Sequence, residues 1–205
     1  MLEDHRQYAP ATQRNRKPIL SVLSQILAPV GNVLEISSGT GEHAIFFAEH
    51  LNGVCWIPSD LNPIALQSIE AWRIYSKTTN VESPLSIDVN DSIWQIENLK
   101  TDIMAIVNIN MIHIAPWSSC LGLLNGAGRI LKKGSILYLY GPFKKNGEHT
   151  AASNLAFDQS LREQNEQWGV RDLEMVIEAA KNYSLELMEI IEMPANNLSV
   201  VFRRN

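Results

Sequence analysis

Residues 33–43 read Val33-Leu34-Glu35-Ile36-Ser37-Ser38-Gly39-Thr40-Gly41-Glu42-His43. A short apolar run suited to a buried strand enters a glycine turn, and helical spacing follows at once. Ala44, Phe47, Ala48 and Leu51 fall on one side of a helix over 41–51. A Cβ at position 39 or 41 would obstruct a ligand approaching the turn, and a helix N-terminus offers unpaired N–H groups to a carboxylate or phosphate. Strand, glycine turn and helix in this order mark a ligand-binding unit of an open α/β sheet.

The same alternation extends in both directions. Upstream, 18–27 predicts a short helix with Pro18 in its first turn. Downstream, 54–59 predicts a second strand ending at Asp60, and Asn62-Pro63 supplies an N-cap and a first-turn proline for a helix to about 75. A third strand is expected over 85–88. Residues 103–109 are nearly all apolar and rich in β-branched side chains, as in a parallel strand covered on both faces. A helix over 117–131 ends at Lys132-Lys133-Gly134, with cations and a glycine stop, and a fifth strand covers 135–140. The polar segment 141–150 precedes two helices, 151–166 and 172–182. Two closing strands, 185–193 and 198–203, are joined by a link short enough for a hairpin. The expected fold is α/β, doubly wound and Rossmann-like, a mostly parallel seven-stranded sheet with a C-terminal antiparallel hairpin, in one domain over 1–205.

Composition narrows the function. The 205 residues, 45% hydrophobic and 19% charged, suit one globular domain. Seventeen Lys and Arg against 22 Asp and Glu give a net charge of −5, which argues against a surface tracking nucleic-acid phosphates. Cys55 and Cys120 lie in apolar stretches without metal-type spacing, so buried free thiols and no metal are expected. The opening residues lack the apolar core of a signal peptide, and no apolar run approaches the ~20 residues that span a bilayer. The expected location is the cytoplasm, with no membrane partner.

The turn resembles the methyltransferase motif Glu-x-Gly-x-Gly-x-Gly, carried here by Glu35, Ser37, Gly39 and Gly41, with serine in place of the first glycine. A dinucleotide pattern in the same register would need glycine at 44, where Ala44 is a permitted variant, so Glu35 is the residue that separates the two readings. Asp60, with Leu61 after it, ends the second strand about 20 residues beyond the turn, where an acidic side chain accepts ribose hydroxyls. The resemblance implies S-adenosylmethionine (SAM) as cofactor, with S-adenosylhomocysteine as product. It also implies adenine contacts from Asp88 and Val89, and Asn108 and Ile109 at the end of the fourth strand.

A methyl on sulfonium sulfur is already activated, so such an enzyme need only align an acceptor and remove its proton where necessary. His113, in the loop after the fourth strand, is the nominated proton acceptor, and Tyr140 is the second candidate. Lys144 and His149 are expected to contact the acceptor. Asn154, Asp158 and Arg162 recur at helical spacing, the pattern of a solvent-facing polar ladder. No Asn/Asp-Pro-Pro-Tyr stretch follows strand four, unlike the common amino-methyltransferases of bases and glutamine.

Further stretches carry a more specific resemblance: Arg14-Asn15 with Pro18-Ile19, 34–43, 110–117, 140–150, and Trp168-Gly169-Val170-Arg171-Asp172. They are similar to an uncharacterised methyltransferase-like family with a domain-of-unknown-function label, which includes the animal protein methyltransferase-like 26. That resemblance implies a class I methyltransferase fold, an N-terminal capping segment over 1–17 in which Arg14 and Asn15 face cofactor or acceptor, and an acceptor-side insertion over 141–182. The expected activity is methyl transfer from SAM to a small molecule or protein. The alternatives are an NAD-binding oxidoreductase and a catalytically silent SAM-fold binding protein.

Overall fold

A computed structural model describes residues 4–205. The chain divides into two compact units. The first takes in the residues up to Asp88 together with Ile93–Val107, and the second takes in Val89–Ser92 with Asn108–Asn205.

The first unit contains α1 (Pro10–Ile26), β1 (Gly31–Ile36), α2 (Glu42–His50), β2 (Val54–Asp60), α3 (Pro63–Ser76) and β3 (Leu85–Ser86). Next comes β4 (Ile103–Ile109), whose last two residues belong to the second unit. The second unit continues with α4 (Trp117–Ile130), β5 (Ile136–Gly141), β6 (Phe143–Lys145), β7 (Glu148–His149), α5 (Ala152–Gln164), β8 (Arg171–Asp172), α6 (Leu173–Lys181), β9 (Leu185–Met193) and β10 (Asn197–Arg204). The main sheet has seven strands in the order β3-β2-β1-β4-β5-β10-β9. β1, β2 and β3 run parallel, while β10 is antiparallel to both β5 and β9. The doubly wound, mostly parallel sheet with antiparallel C-terminal strands is therefore as expected.

Burial explains the elements. In the first unit Ile19, Leu23, Leu34, Phe47, Trp56 and Ile69 are wholly covered, and in the second Leu123, Leu137, Phe143, Val176, Val200 and Phe202 are. Each such side chain stabilises its unit by about 1.5–3 kcal/mol relative to exposure. Asn62 caps α3, its side chain accepting from the Ile64 N–H, with Pro63 at the first helical position.

Some expectations are corrected. α1 starts at Pro10, inside the predicted capping segment, and Pro18 lies in the helix interior. Pro10 pre-sets the φ of a helix start, and Asn15 on the first turns is tied to α2. The polar segment 141–150 is no plain loop. It holds β6 and β7, which with β8 form a separate sheet in the order β7-β6-β8. The turn between β6 and β7 is Asn146-Gly147, both left-handed at φ 53° and 79°, the geometry that Asn-Gly favours in tight hairpins. Cys120 is buried, but Cys55 is partly exposed; both thiols are free. No helix among the described residues is long and apolar enough to cross a membrane.

Candidate functional site

In the first unit β1 delivers Glu35 and then Ser37 to the turn before α2. The Glu35 side chain is buried, and its Oε2 accepts from the Trp56 indole and the Ser38 hydroxyl, both at 2.9 Å. Ser38 also accepts the Ser59 N–H, and the Ser59 hydroxyl donates to the Glu35 carbonyl at 2.7 Å. Burial pushes the Glu35 carboxyl up to about 7, against the opposing pull of the Trp56 and Ser38 hydrogen bonds. Trp56, Ser38 and Ser59 escaped the sequence reading, because a partner on the neighbouring strand leaves no local spacing signal.

Asp60 closes the other side of the turn. One carboxylate oxygen accepts the Gly39 N–H and the other the Asn62 N–H, each at 2.9 Å. The Gly41 N–H goes to the Ser38 carbonyl, and the Glu42 N–H faces the Thr40 hydroxyl at 3.5 Å. The helix start therefore spends these N–H groups internally, contrary to the expectation of free donors there. The two glycines also differ in purpose. A Cβ on Gly39 would meet nothing within 4 Å, so that backbone faces open space. A Cβ on Gly41 would lie 2.8 Å from the Ile69 Cα, so that glycine is required by packing on α3 and not by a ligand.

Ser37 occupies the place of the motif's first glycine and has φ 57°, a left-handed conformation that costs a non-glycine residue about 1 kcal/mol or more. Ser37→Gly is accordingly expected to raise the unfolding free energy by about 0.5–1 kcal/mol. A thermal melt of the variant checks this, and an unchanged or lower midpoint would refute the strain.

The N-terminal segment is fastened to the same region. The Gln7 N–H donates to Ser68 Oγ, whose hydroxyl donates to the Thr40 carbonyl, and the Ala9 N–H donates to Glu42 at 2.6 Å. His43 Nε2 donates to Asn15 Oδ1 at 2.8 Å, which commits Asn15 to α2, while Arg14 is exposed. Leu61 is exposed beyond Asp60, and Asp88 is half-buried at the end of this unit.

In the second unit Val89 and Asn108 are buried and Ile109 half-buried. Asn110 turns left-handed at φ 65°, its N–H bonded to the Tyr140 carbonyl, and starts a 3-10 turn over Met111–His113. His113 is fully buried. Its Nδ1 accepts the Arg171 N–H at 3.2 Å, its carbonyl accepts the Gly169 N–H, and its Nε2 has no hydrogen-bond partner. Burial, helped by the Arg171 charge, pushes the imidazole down to about 3, so the ring is neutral with its proton on Nε2. The Tyr140 side chain is buried as well.

Arg171 binds this loop through its side chain, donating to the Ile112, Ala115 and Gln167 carbonyls. Asp158 forms a second centre. It accepts the Val170 N–H at 2.7 Å and stands 3.2 Å from Arg162 Nε, 3.4 Å from His149 Nε2 and 3.5 Å from Lys144 Nζ. Asn154 and Asp158 are buried, so the ladder expected to face solvent instead points inward, with only Arg162 exposed. Lys144 and His149 are brought together by pairing of β6 with β7. The segments 140–150 and 168–172, separate in sequence, thus meet around Asp158 and His113.

Solved structures share the fold at low identity. An O-methyltransferase family protein from Burkholderia thailandensis matches with TM-score 0.77 and 13% identity, over 95% of this chain and 57% of that one. Human N-acetylserotonin methyltransferase, solved in complex with SAM, matches with TM-score 0.78 and 12% identity, over 95% and 53%. The mitomycin 7-O-methyltransferase MmcR gives TM-score 0.79 and 14% identity, over 95% and 54%. The chain therefore spans little more than half the length of these proteins, and shares with them the class I methyltransferase fold. A family profile described as a protein of unknown function (DUF938) matches residues 6–204, nearly the whole length, and the chain belongs to that family.

Proposed function

We propose that this protein binds SAM and transfers its methyl group to a small-molecule or protein acceptor. The observation that carries this reading is the glycine turn tied to Asp60. A dinucleotide pyrophosphate seeks free N–H groups at such a turn. Here the N–H groups of Gly39, Gly41 and Glu42 already face acceptors, and the buried Glu42 carboxylate adds negative charge beside them. That arrangement disfavours the pyrophosphate of NAD and suits a cofactor held through ribose that carries no pyrophosphate.

The residues present fit that group. The Asp60 oxygens each spend a hydrogen bond on a backbone N–H and retain lone pairs for ribose hydroxyls. Gly39 leaves the adjacent backbone open to close approach. Glu35 acts as the fastener of the turn through Trp56 and Ser38; Leu61 directly follows β2, and Asp88 lies two residues beyond β3, which ends at Ser86 and not at the expected Asp88. When bound, SAM supplies a sulfonium-activated methyl group. His113, neutral and bonded through Nδ1, is assigned to holding the 111–113 turn against Arg171, since a ring held near pKa 3 takes no proton at neutral pH. The likeness to the family that includes animal methyltransferase-like 26 is part of the same proposal.

Calorimetric titration with SAM, S-adenosylhomocysteine and NAD tests the reading. Asp60→Ala is expected to weaken SAM binding by about 1–3 kcal/mol through lost hydrogen bonds. NAD binding without response to either sulfur ligand would overturn the proposal, and unchanged SAM affinity in a folded variant would remove Asp60 from the site. One observation favours a second reading, a catalytically silent SAM-binding protein: both nominated proton acceptors, His113 and Tyr140, are buried. SAM binding with no methyl transfer to any component of a metabolite and protein extract would select it.

A further inference from the structure

We propose that the outer face of α3 is a self-association surface, on which a second copy of this chain packs its own α3 antiparallel about a two-fold axis. Ile64, Gln67, Ala71 and Ile74 share that face, spaced three, four and three residues apart. Ala65, Ser68 and Ile69, on the other side of the helix, are buried in the first unit. Ile64 is 59% exposed, Ile74 65% and the neighbouring Tyr75 63%. Large apolar side chains grouped on one exposed helix face mark an interaction site, whereas single ones need no explanation.

The stripe fits a second copy of itself. Its spacing reads alike from either end, so a two-fold axis level with Ile69 sets Ile64 against the partner's Ile74 and Gln67 against the partner's Ala71. An isologous contact needs knob and hole on the same patch, and both are present. Ile64 stands exposed near one end of α3. Towards the other end Ala71, Ile74 and Tyr75 line a groove of about 770 Å³, walled by Asp4, Arg6 and Glu70. The small Ala71 near the axis lets the two helices approach closely. Arg6 fixes the wall before association, its guanidinium 3.6 Å from the Tyr75 ring centre and 5.1 Å from that of Trp72. Charge selects a copy over an acidic or basic peptide. Asp4 lies 2.8 Å from Arg6, and Glu70 lies 2.6 Å from Arg73. His5 also lies on the wall. Among the described residues each carboxylate and guanidinium of the groove thus carries its own counter-ion. The two Glu70 carboxylates nearest the axis keep theirs as well. The face is a neutral strip on which two chains of net charge −5 meet without like-charge repulsion. One pair of 14-residue helices is a small interface, so the dimer is weak, with Kd on the order of tens of micromolar.

This inference does not depend on the methyltransferase reading, because association is measured without SAM. Sedimentation equilibrium of the full chain, from about 5 to about 500 µM, should show a reversible shift from monomer to dimer. Ile64→Glu and Ile74→Lys each place a charge at an exposed position, matched in sign to its end of the helix dipole, so both variants should melt close to the parent. Each alone should weaken association at least about tenfold, because the new charge meets an isoleucine of the partner. An equimolar mixture of the two variant chains should recover a heterodimer within about threefold of the parent affinity. The antiparallel register sets the two altered positions opposite each other at one end and leaves isoleucine on isoleucine at the other. A chain that stays monomeric throughout, or a dimer that neither substitution weakens, would overturn the proposal. A mixture that associates no better than its components would overturn the two-fold register on which it rests.

Discussion

Asp158→Ala is expected to lower the unfolding free energy by about 3–5 kcal/mol, the cost of removing one partner from a buried ionic cluster. The side chain is buried, accepts the Val170 N–H and faces Lys144, His149 and Arg162. Alanine would leave the Val170 donor unsatisfied and Lys144 without a counter-ion. Burial raises the Asp158 carboxyl, but the Val170 N–H, Arg162 and Lys144 outweigh it and hold the group below the ordinary carboxylate range. A lowered folded-state value means that this stabilisation is present above the ordinary range and is lost as pH falls through the lowered value. Asp158→Asn keeps an acceptor for Val170 and should lose less. Urea unfolding of both variants at neutral and acidic pH gives the measurement. A loss below about 1 kcal/mol for the alanine variant would show that the cluster is not a stabilising centre.

Glu35→Gln carries the second large effect, in the opposite direction. The buried Glu35 carboxyl is pushed up to about 7 from an ordinary 4.5. The folded state therefore holds the proton more tightly than the unfolded chain. Stability falls as pH rises from about 4.5 to about 7 and levels off above that, by on the order of 3 kcal/mol in total. Glutamine retains an oxygen for the Trp56 and Ser38 donors and cannot ionise. The variant should lack the decline across that window and exceed the parent at pH 8, less any cost of an unpaired amide N–H. Denaturant midpoints at a series of pH values decide the matter. Parallel curves for parent and variant would show that Glu35 is ionised in the fold.

The parts of the fold that repeat a pattern over several residues were legible. The apolar run of β1 and the helical spacing of α2 bracket the glycine turn, and Asn62-Pro63 marks the start of α3 through a cap that the structure contains. The two closing strands had length enough to be recognised, although β10 starts one residue before the expected bound. Elements of two or three residues carry no period, so β6, β7 and β8 left no trace except the Asn146-Gly147 turn. Spacing also reports which side chains share a helix face, but not whether that face is covered. Asn154 and Asp158 accordingly resembled a solvent ladder. His113 shows the same limit in its chemistry, because its proton position follows from the Arg171 N–H, far away in sequence. Glycine carries a further ambiguity: Gly39 and Gly41 read alike, yet one faces open space and the other faces Ile69.

The N-terminal fastening changes how order in the first unit is shared. Thr40 and Glu42, at the glycine turn, are acceptors for Ser68, Ala9 and Gln13, and the Trp72 indole donates to the Gln7 carbonyl. Fluctuations of the turn and of residues 7–15 therefore draw on the same hydrogen bonds. Opening of either exposes acceptors of the other, and their local unfolding becomes one cooperative event. A ligand that quiets the turn would also quiet a segment that it never touches. The entropy of residues 7–15 would in this way be linked to any ligand that occupies the turn.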